Sequence, residues 1–449
     1  MRPALTRLRL IARPRLVLAV GSTALALVVA GGVLGRGGPT PAGHRNVSGA
    51  NVAVRVPTTD LLAATIARQQ KRLRAVPGDW ATWAALSSTY LERARVTADP
   101  TYYPKAEGAA NESLRRRPDG NADALIALGT LANARHDFAT ARDRARAAIA
   151  VNGSSSAAYG VLTDALTQLG DGPGATAAVQ RMLDLRPGLA AYARASYDLE
   201  QRGRVADAVD LMRAALDDAV DPHDAAFCHS QLGDLAWQVG DVAGAQREYS
   251  AALAADPAAI APLRGRARTA AATGRTEAAL AAYADLTRRT PTPTDLLEYA
   301  DLLRVAGNAT RAAEQVQLAT AANGLFTANG GSDGITAAAI ALAAGHPDQA
   351  VDAARAEWSR RQFVDVADSL AWALHHDGRN AEALPYAQRV VATGTRAAGY
   401  AYHLGMIELA LGLRDQARTD LTRAVQTNPA FSPVDGPAAR QALAGLGPA

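Results

Sequence analysis

The strongest constraint on this chain is a set of small-residue marks that return about every 34 residues. In Ala226–Ala259 they are Leu232-Gly233, Gly240-Asp241, Ala245, Tyr249, Ala252 and Asp256-Pro257. Ala122–Ser155 repeats them as Leu128-Gly129, Asp137-Phe138, Ala141 and Ala148, and Ser156–Gly188 as Tyr159, Leu162, Gly170-Asp171, Ala175 and Pro187. Leu189–Val220 has Gly203, Ala208 and Ala215, and Ile260–Thr292 has Gly274, Ala279, Tyr283 and Pro291. Later units keep Gly307 with Ala312, Gly345 with Ala350 and Gly378 with Ala383. The last has Leu404-Gly405, Gly412, Ala417, Ala424 and Asn428-Pro429, and an opening unit has Trp83, Leu86, Tyr90 and Pro118.

Each mark has a mechanical meaning. Glycine and alanine in the first half of a unit let two helices approach closely. The mid-unit glycine takes the left-handed conformation that ends a helix. Proline stops the second helix. One such hairpin cannot bury its own apolar face, whereas ten stacked hairpins build a continuous core.

The pattern resembles the tetratricopeptide repeat. The resemblance implies an all-α superhelical solenoid of about ten helix-turn-helix units over residues 60–449. A leading helix is expected at Asp60–Ala75 and a capping helix at Pro437–Leu446. Two departures from the pattern are expected to matter. About seven extra residues, Val96 to Tyr103, predict a protruding loop. Missing proline and intervening Asn-Gly sequences predict a loop or bend over residues 320–331.

The first fifty residues have a different character. Leu16–Leu34 is an apolar run without a charge, long enough as a helix to cross a bilayer. Five arginines precede it, so the N-terminus is expected in the cytoplasm and the repeats outside. Residues 1–35 then form a membrane anchor, and a signal sequence cleaved on export is the alternative. Residues 36–59, rich in glycine, proline and small polar residues, read as a flexible linker.

Net charge misleads here. The chain carries +4, but residues 1–50 hold seven arginines and no acid. Subtracting those seven from 47 Lys and Arg leaves 40 against 43 Asp and Glu. A mildly acidic body lacks the electrostatic footprint of a nucleic-acid binder. Alanine is abundant, and Lys71 and Lys105 are the only lysines. This resembles tetratricopeptide proteins of high-GC bacteria. Cys228 is the sole cysteine, which excludes an internal disulfide framework.

Chemistry is sparse. Gly330-Gly331-Ser332-Asp333-Gly334 fits the spacing of a nucleophile elbow, but its flank is a poor strand. Ser332 or Asp333 capping a helix at Ile335 accounts for it better. His375-His376-Asp377, with His403 one unit on, is a polar helix end more naturally than a metal site. No cofactor is expected, and an atypical enzyme site near Ser332 or His375/His403 is the rival reading.

The resemblance places ligands on a concave wall built by the first helix of each unit. Carried onto this sequence, that wall holds Tyr197, Glu200, Gln201, Phe227, Asp234, Trp237, Arg264, Arg268, Asp301, Arg304, Asp368, Trp372, His375 and Tyr402. Such a face implies a non-catalytic scaffold that holds a peptide segment or partner protein; a self-associating structural array is a further alternative. Pairing of Arg264 and Arg268 with Asp234 and Asp301 across adjacent helices is the competing structural role.

Overall fold

The computed structural model describes residues 58–447. The anchor or signal expected over residues 1–35 lies outside them, as does nearly all of the linker. Among the described residues there are 22 α-helices and no strand. A leading helix, α1 (Thr58–Ala75), precedes ten hairpin units. The units are α2 (Trp80–Thr97) with α3 (Tyr103–Arg116), α4 (Ala122–Ala134) with α5 (Phe138–Val151), and α6 (Ser156–Leu169) with α7 (Gly172–Leu185). Next come α8 (Leu189–Glu200) with α9 (Val205–Asp217), α10 (Pro222–Gln238) with α11 (Val242–Ala255), and α12 (Ala261–Ala272) with α13 (Thr276–Arg289). The last four are α14 (Pro293–Val305) with α15 (Ala309–Ala328), α16 (Gly334–Ala344) with α17 (Pro347–Arg360), α18 (Val364–His376) with α19 (Asn380–Val391), and α20 (Ala398–Ala410) with α21 (Arg414–Thr427). A final helix, α22 (Asp435–Leu446), closes the stack.

The marks do the work expected of them. Asp171 and Asp241 each follow a left-handed glycine and cap the next helix through the amides of Gly174 and Gly244. Arg186, Asp256, Thr290 and Asn428 end second helices in extended backbone, as residues before proline or a turn must. The alanines at the helix crossings, among them Ala141, Ala208, Ala245, Ala279, Ala350 and Ala417, are fully buried. Tyr249 shows why glycine is needed beside them. Its ring fills the space where side chains on Gly233 and Gly265, from two successive first helices, would stand.

Two expectations are corrected. Val96 to Tyr103 is no protruding loop: Pro100–Tyr102 folds into a 3-10 turn, Pro100 is buried, and Tyr102 lies 6.0 Å from Tyr90. Apolar side chains in the insertion pull it onto the core. Residues 320–328 are not a loop either. With no stop signal, α15 simply continues for 20 residues, against 14 in α13, and only the turn at residues 329–333 is irregular.

Consecutive first helices pack on one another along the inside of the curve, and second helices lie outside. The curvature is tight enough for one turn of the superhelix to rest on the next. Arg135 donates to the Asn329 carbonyl at 2.9 Å, Arg361 to Gln168, and Asn428 to the Trp237 carbonyl at 2.7 Å. These partners are 194, 193 and 191 residues apart. At about 34 residues per unit, a turn takes between five and six units. Between these contacts, the left-handed Gly170, Gly203 and Gly240 sit directly on the carbonyls of Gln362, Gly394 and Thr427. The first helices therefore form the inner wall of a coil whose successive turns touch along a seam.

Candidate functional site

The inner wall is laced by polar contacts between one first helix and the next. Arg194 on α8 holds Asp164 on α6 with two 2.8 Å bonds. Arg264 pairs with Asp295, and Arg268 with Glu298, from α12 to α14. Tyr400 donates to Asp365 at 2.5 Å, and His403 Nδ1 lies 2.8 Å from Asp368, from α20 to α18. Second helices join in, with Tyr249 bonded to Asp234 at 2.7 Å and Tyr283 to Glu298 at 2.8 Å.

This geometry sorts the expected wall residues. Arg264 and Arg268 pair within the chain, as their structural role required, but with Asp295 and Glu298 rather than Asp234 and Asp301. Asp234 takes Tyr249 instead. Asp301 is buried and paired with Arg304 at 2.8 Å, and burial pushes its carboxyl well up. Asp368, Trp372, Tyr402 and His403 are all buried. Trp372 stacks on His403 at 4.0 Å, and Tyr402 lies under Phe431, 5.6 Å away, in the segment leading to α22. His375 closes its helix end by a 2.6 Å contact with Asn380. Phe227 packs among Ala193, Met212 and Leu232.

Tyr197, Glu200 and Gln201, at the end of α8, are partly exposed; Tyr197 packs its ring against the Met212 and Leu232 cluster, and none of the three side chains is hydrogen-bonded to another described residue. The Trp237 indole lies half-buried on the neighbouring first helix. Burial pushes the Glu200 carboxyl up to about 8, with Asp234 and Asp365 adding like charge. Asp365 itself is pushed up to about 7, again mainly by burial. Sequence reasoning missed Asp164, Asp295, Glu298 and Asp365. Their signal was an acid standing 30, 31 or 35 residues, one unit, from a donor of matching position.

The rival chemical sites resolve into structure. Ser332 follows a helix, not a strand, and its hydroxyl accepts a 2.6 Å bond from Arg360. Asp333 is the N-cap of α16, bonded to the Thr336 amide. Cys228 is buried, its thiol pushed up to about 12 by burial, with Asp224 contributing.

A pH dependence follows from Glu200. The fold holds its proton above the value of 4.5 that a free glutamate has. Its contribution to stability is complete below that value and is lost as pH rises through about 8. Glu200→Gln is expected to melt a few degrees above the unmodified protein at about pH 9 and to match it at about pH 5. Thermal melts by circular dichroism across that range check it; parallel curves would refute it.

An inner wall of ten first helices, with their second helices outside it, defines an all-α superhelical repeat solenoid. The family model of the tetratricopeptide repeat matches residues 126–190 and 230–293. No curated protein matches the chain in sequence. Among solved structures, a tetratricopeptide repeat protein from Parabacteroides merdae is similar at 20% identity, covering 57% of this chain and 97% of that one, with a TM-score of 0.34. The APC/C hetero-tetramer Cut9-Hcn1 is similar at 15% identity, over 88% and 97%, with a TM-score of 0.39. Yeast Tom70 is similar at 14% identity, over 87% and 86%, with a TM-score of 0.36. At these levels what those proteins do does not transfer to this chain.

Proposed function

We propose that this chain is a non-catalytic scaffold that holds a segment of a partner protein against its inner wall, at Tyr197, Glu200, Gln201 and Trp237. One observation carries the reading. Among the other expected wall residues, Asp234, Arg264, Arg268, Asp301, Arg304, Asp368 and His375 are bonded within the chain, while α8 ends in three side chains with hydrogen-bonding capacity to spare. An aromatic and a carboxyl group that keeps its proton, beside an indole, suit a segment that offers a hydrogen-bonding group and an apolar side chain. Residues 16–34 supply a membrane tether in this reading, with the repeats on the extracytoplasmic side. The mildly acidic body argues against nucleic acid as the partner. The hydroxyl of Ser332 is held by arginine rather than by a base, which argues against an enzyme there.

The test is capture from the source cells after mild crosslinking, using full-length protein beside Glu200→Lys. Arg264 and Arg268 are unsuitable targets, because losing either strands a buried carboxylate. A partner held by the unmodified protein and lost from Glu200→Lys supports the site. The same partner on both keeps the scaffold and removes the site. No partner on either overturns the scaffold.

A further inference from the structure

The seam between superhelical turns is built differently from the rest of the molecule. Every buried apolar cluster among the described residues lies wholly within residues 73–235 or wholly within 263–446. None bridges the seam. What crosses it is backbone against glycine, a few polar bonds, and, near its first loop pair, ring contacts of Phe326 with Tyr103 and His136 and of the Arg361 guanidinium with Phe138. Interfaces of this kind within one chain are the ones that open below the cost of unfolding.

The first loop pair has a feature that the others lack. His136 adopts φ 60°, in the left-handed region, at the turn where the next three units have Gly170, Gly203 and Gly240. Side chains are disfavoured there, although histidine tolerates it better than most. The His136 carbonyl accepts Arg360 from the next turn at 2.8 Å. Its ring stacks on Phe138 at 5.4 Å on its own side and meets Phe326 at 5.3 Å across the seam. Nδ1 is buried and makes no hydrogen bond, and Asp333 lies 3.7 Å away. Beside it, Ser332 N–H donates to the Arg135 carbonyl at 3.1 Å.

We propose that the seam opens as a unit well short of unfolding, loosening the coil and uncovering its inner wall, and that His136 is a latch released in acid. The groups facing the ring are Asp333 at the start of α16, Glu357 and Arg360 on α17, and Arg361 just after it. Arg135 alongside is engaged by Glu107 at 2.8 Å. Burial is the chief cause holding the ring below its ordinary value of 6.5; Arg361 and Arg360 add to this, while Asp333 and Glu357 oppose it. The closed seam thus favours the neutral ring. That preference is complete above 6.5 and is lost as pH falls below it. Further along, Glu200 and Asp365 hold their protons when closed, so they resist acid opening, and release is concentrated at the His136 end.

Amide exchange read by mass spectrometry on the full-length protein tests this without any partner. Rates are corrected for intrinsic pH dependence and compared at about pH 5 and about pH 7.5. Peptides covering residues 329–336 and 360–363 report the seam, and α18 reports the core. Seam peptides are expected to exchange at least about tenfold faster than α18, with a further several-fold gain at residues 329–336 in acid. His136→Gly, which suits the left-handed turn, should fold normally and lose the acid gain. Gly203→Ala, which wedges a different loop pair, should speed exchange at residues 329–336 if the seam is one unit. Seam amides as slow as α18, or no effect of Gly203→Ala at residues 329–336, would overturn the opening. An acid gain that is absent from the unmodified protein, or that survives in His136→Gly, would overturn the latch.

Discussion

Replacing Glu298 with alanine is expected to cost roughly 3–5 kcal/mol of stability, among the largest effects of any single truncation on the inner wall. Glu298 is buried and serves three donors: Arg268 Nε at 2.9 Å, a second Arg268 nitrogen, and the Tyr283 hydroxyl at 2.8 Å. Burial alone would push its carboxyl up. Arg268 chiefly, with Arg264 and the Tyr283 hydroxyl, together outweigh that burial, and the group is held below its ordinary value. Truncation removes the compensating charge and leaves a guanidinium and a phenol facing nothing. Asp234, the remaining acid near Arg268, is already taken by Tyr249.

The same argument predicts what should cost little. A paired Arg268→Met/Glu298→Leu change removes both charges and keeps the volume, so it should lie within about 1–2 kcal/mol of the unmodified protein. Glu298→Gln keeps the acceptor for Tyr283 and should fall between the two. Urea unfolding followed by circular dichroism ranks the three. If Glu298→Ala costs no more than the paired change, the ladder between first helices is not what holds the wall in place.

The units were legible because their marks act locally. A glycine at a helix end, an aspartate after it and a residue before proline each set their own few dihedral angles, wherever the chain goes next. The alanines at positions such as Ala245 and Ala417 were legible because one neighbouring helix fixes their size. The length of α15 was not, since nothing in residues 320–328 starts or stops a helix and packing alone decides. The groove was half legible. Position within the unit put Arg264 and Arg268 on the inner wall, but their partners lie one unit on, and no unit taken alone contains the pair. The seam was not legible at all. It joins residues about 190 apart and depends on a small rotation summed over more than five units.

Gly203 carries that lesson, because it has two jobs and the sequence reveals one. Gly203 and Gly274 occupy the same turn in different units, with φ of 71° and 75°. A side chain at Gly274 would point into open space. Gly274→Ala should therefore cost only the left-handed backbone, about 1–2 kcal/mol. A side chain at Gly203 would fall on the carbonyl oxygen of Gly394 in the next turn. That oxygen belongs to backbone and cannot swing aside as a flexible side chain would. Gly394 is itself left-handed, at φ 86°, and lies against the Arg202 carbonyl, so both faces of the contact are backbone. Gly203→Ala is expected to cost about 1–3 kcal/mol beyond Gly274→Ala, read as the difference between their urea midpoints at equal slope. Equal losses would mean that the turns rest on each other without bearing load, and the coil would then owe its pitch to the stacking of adjacent units alone.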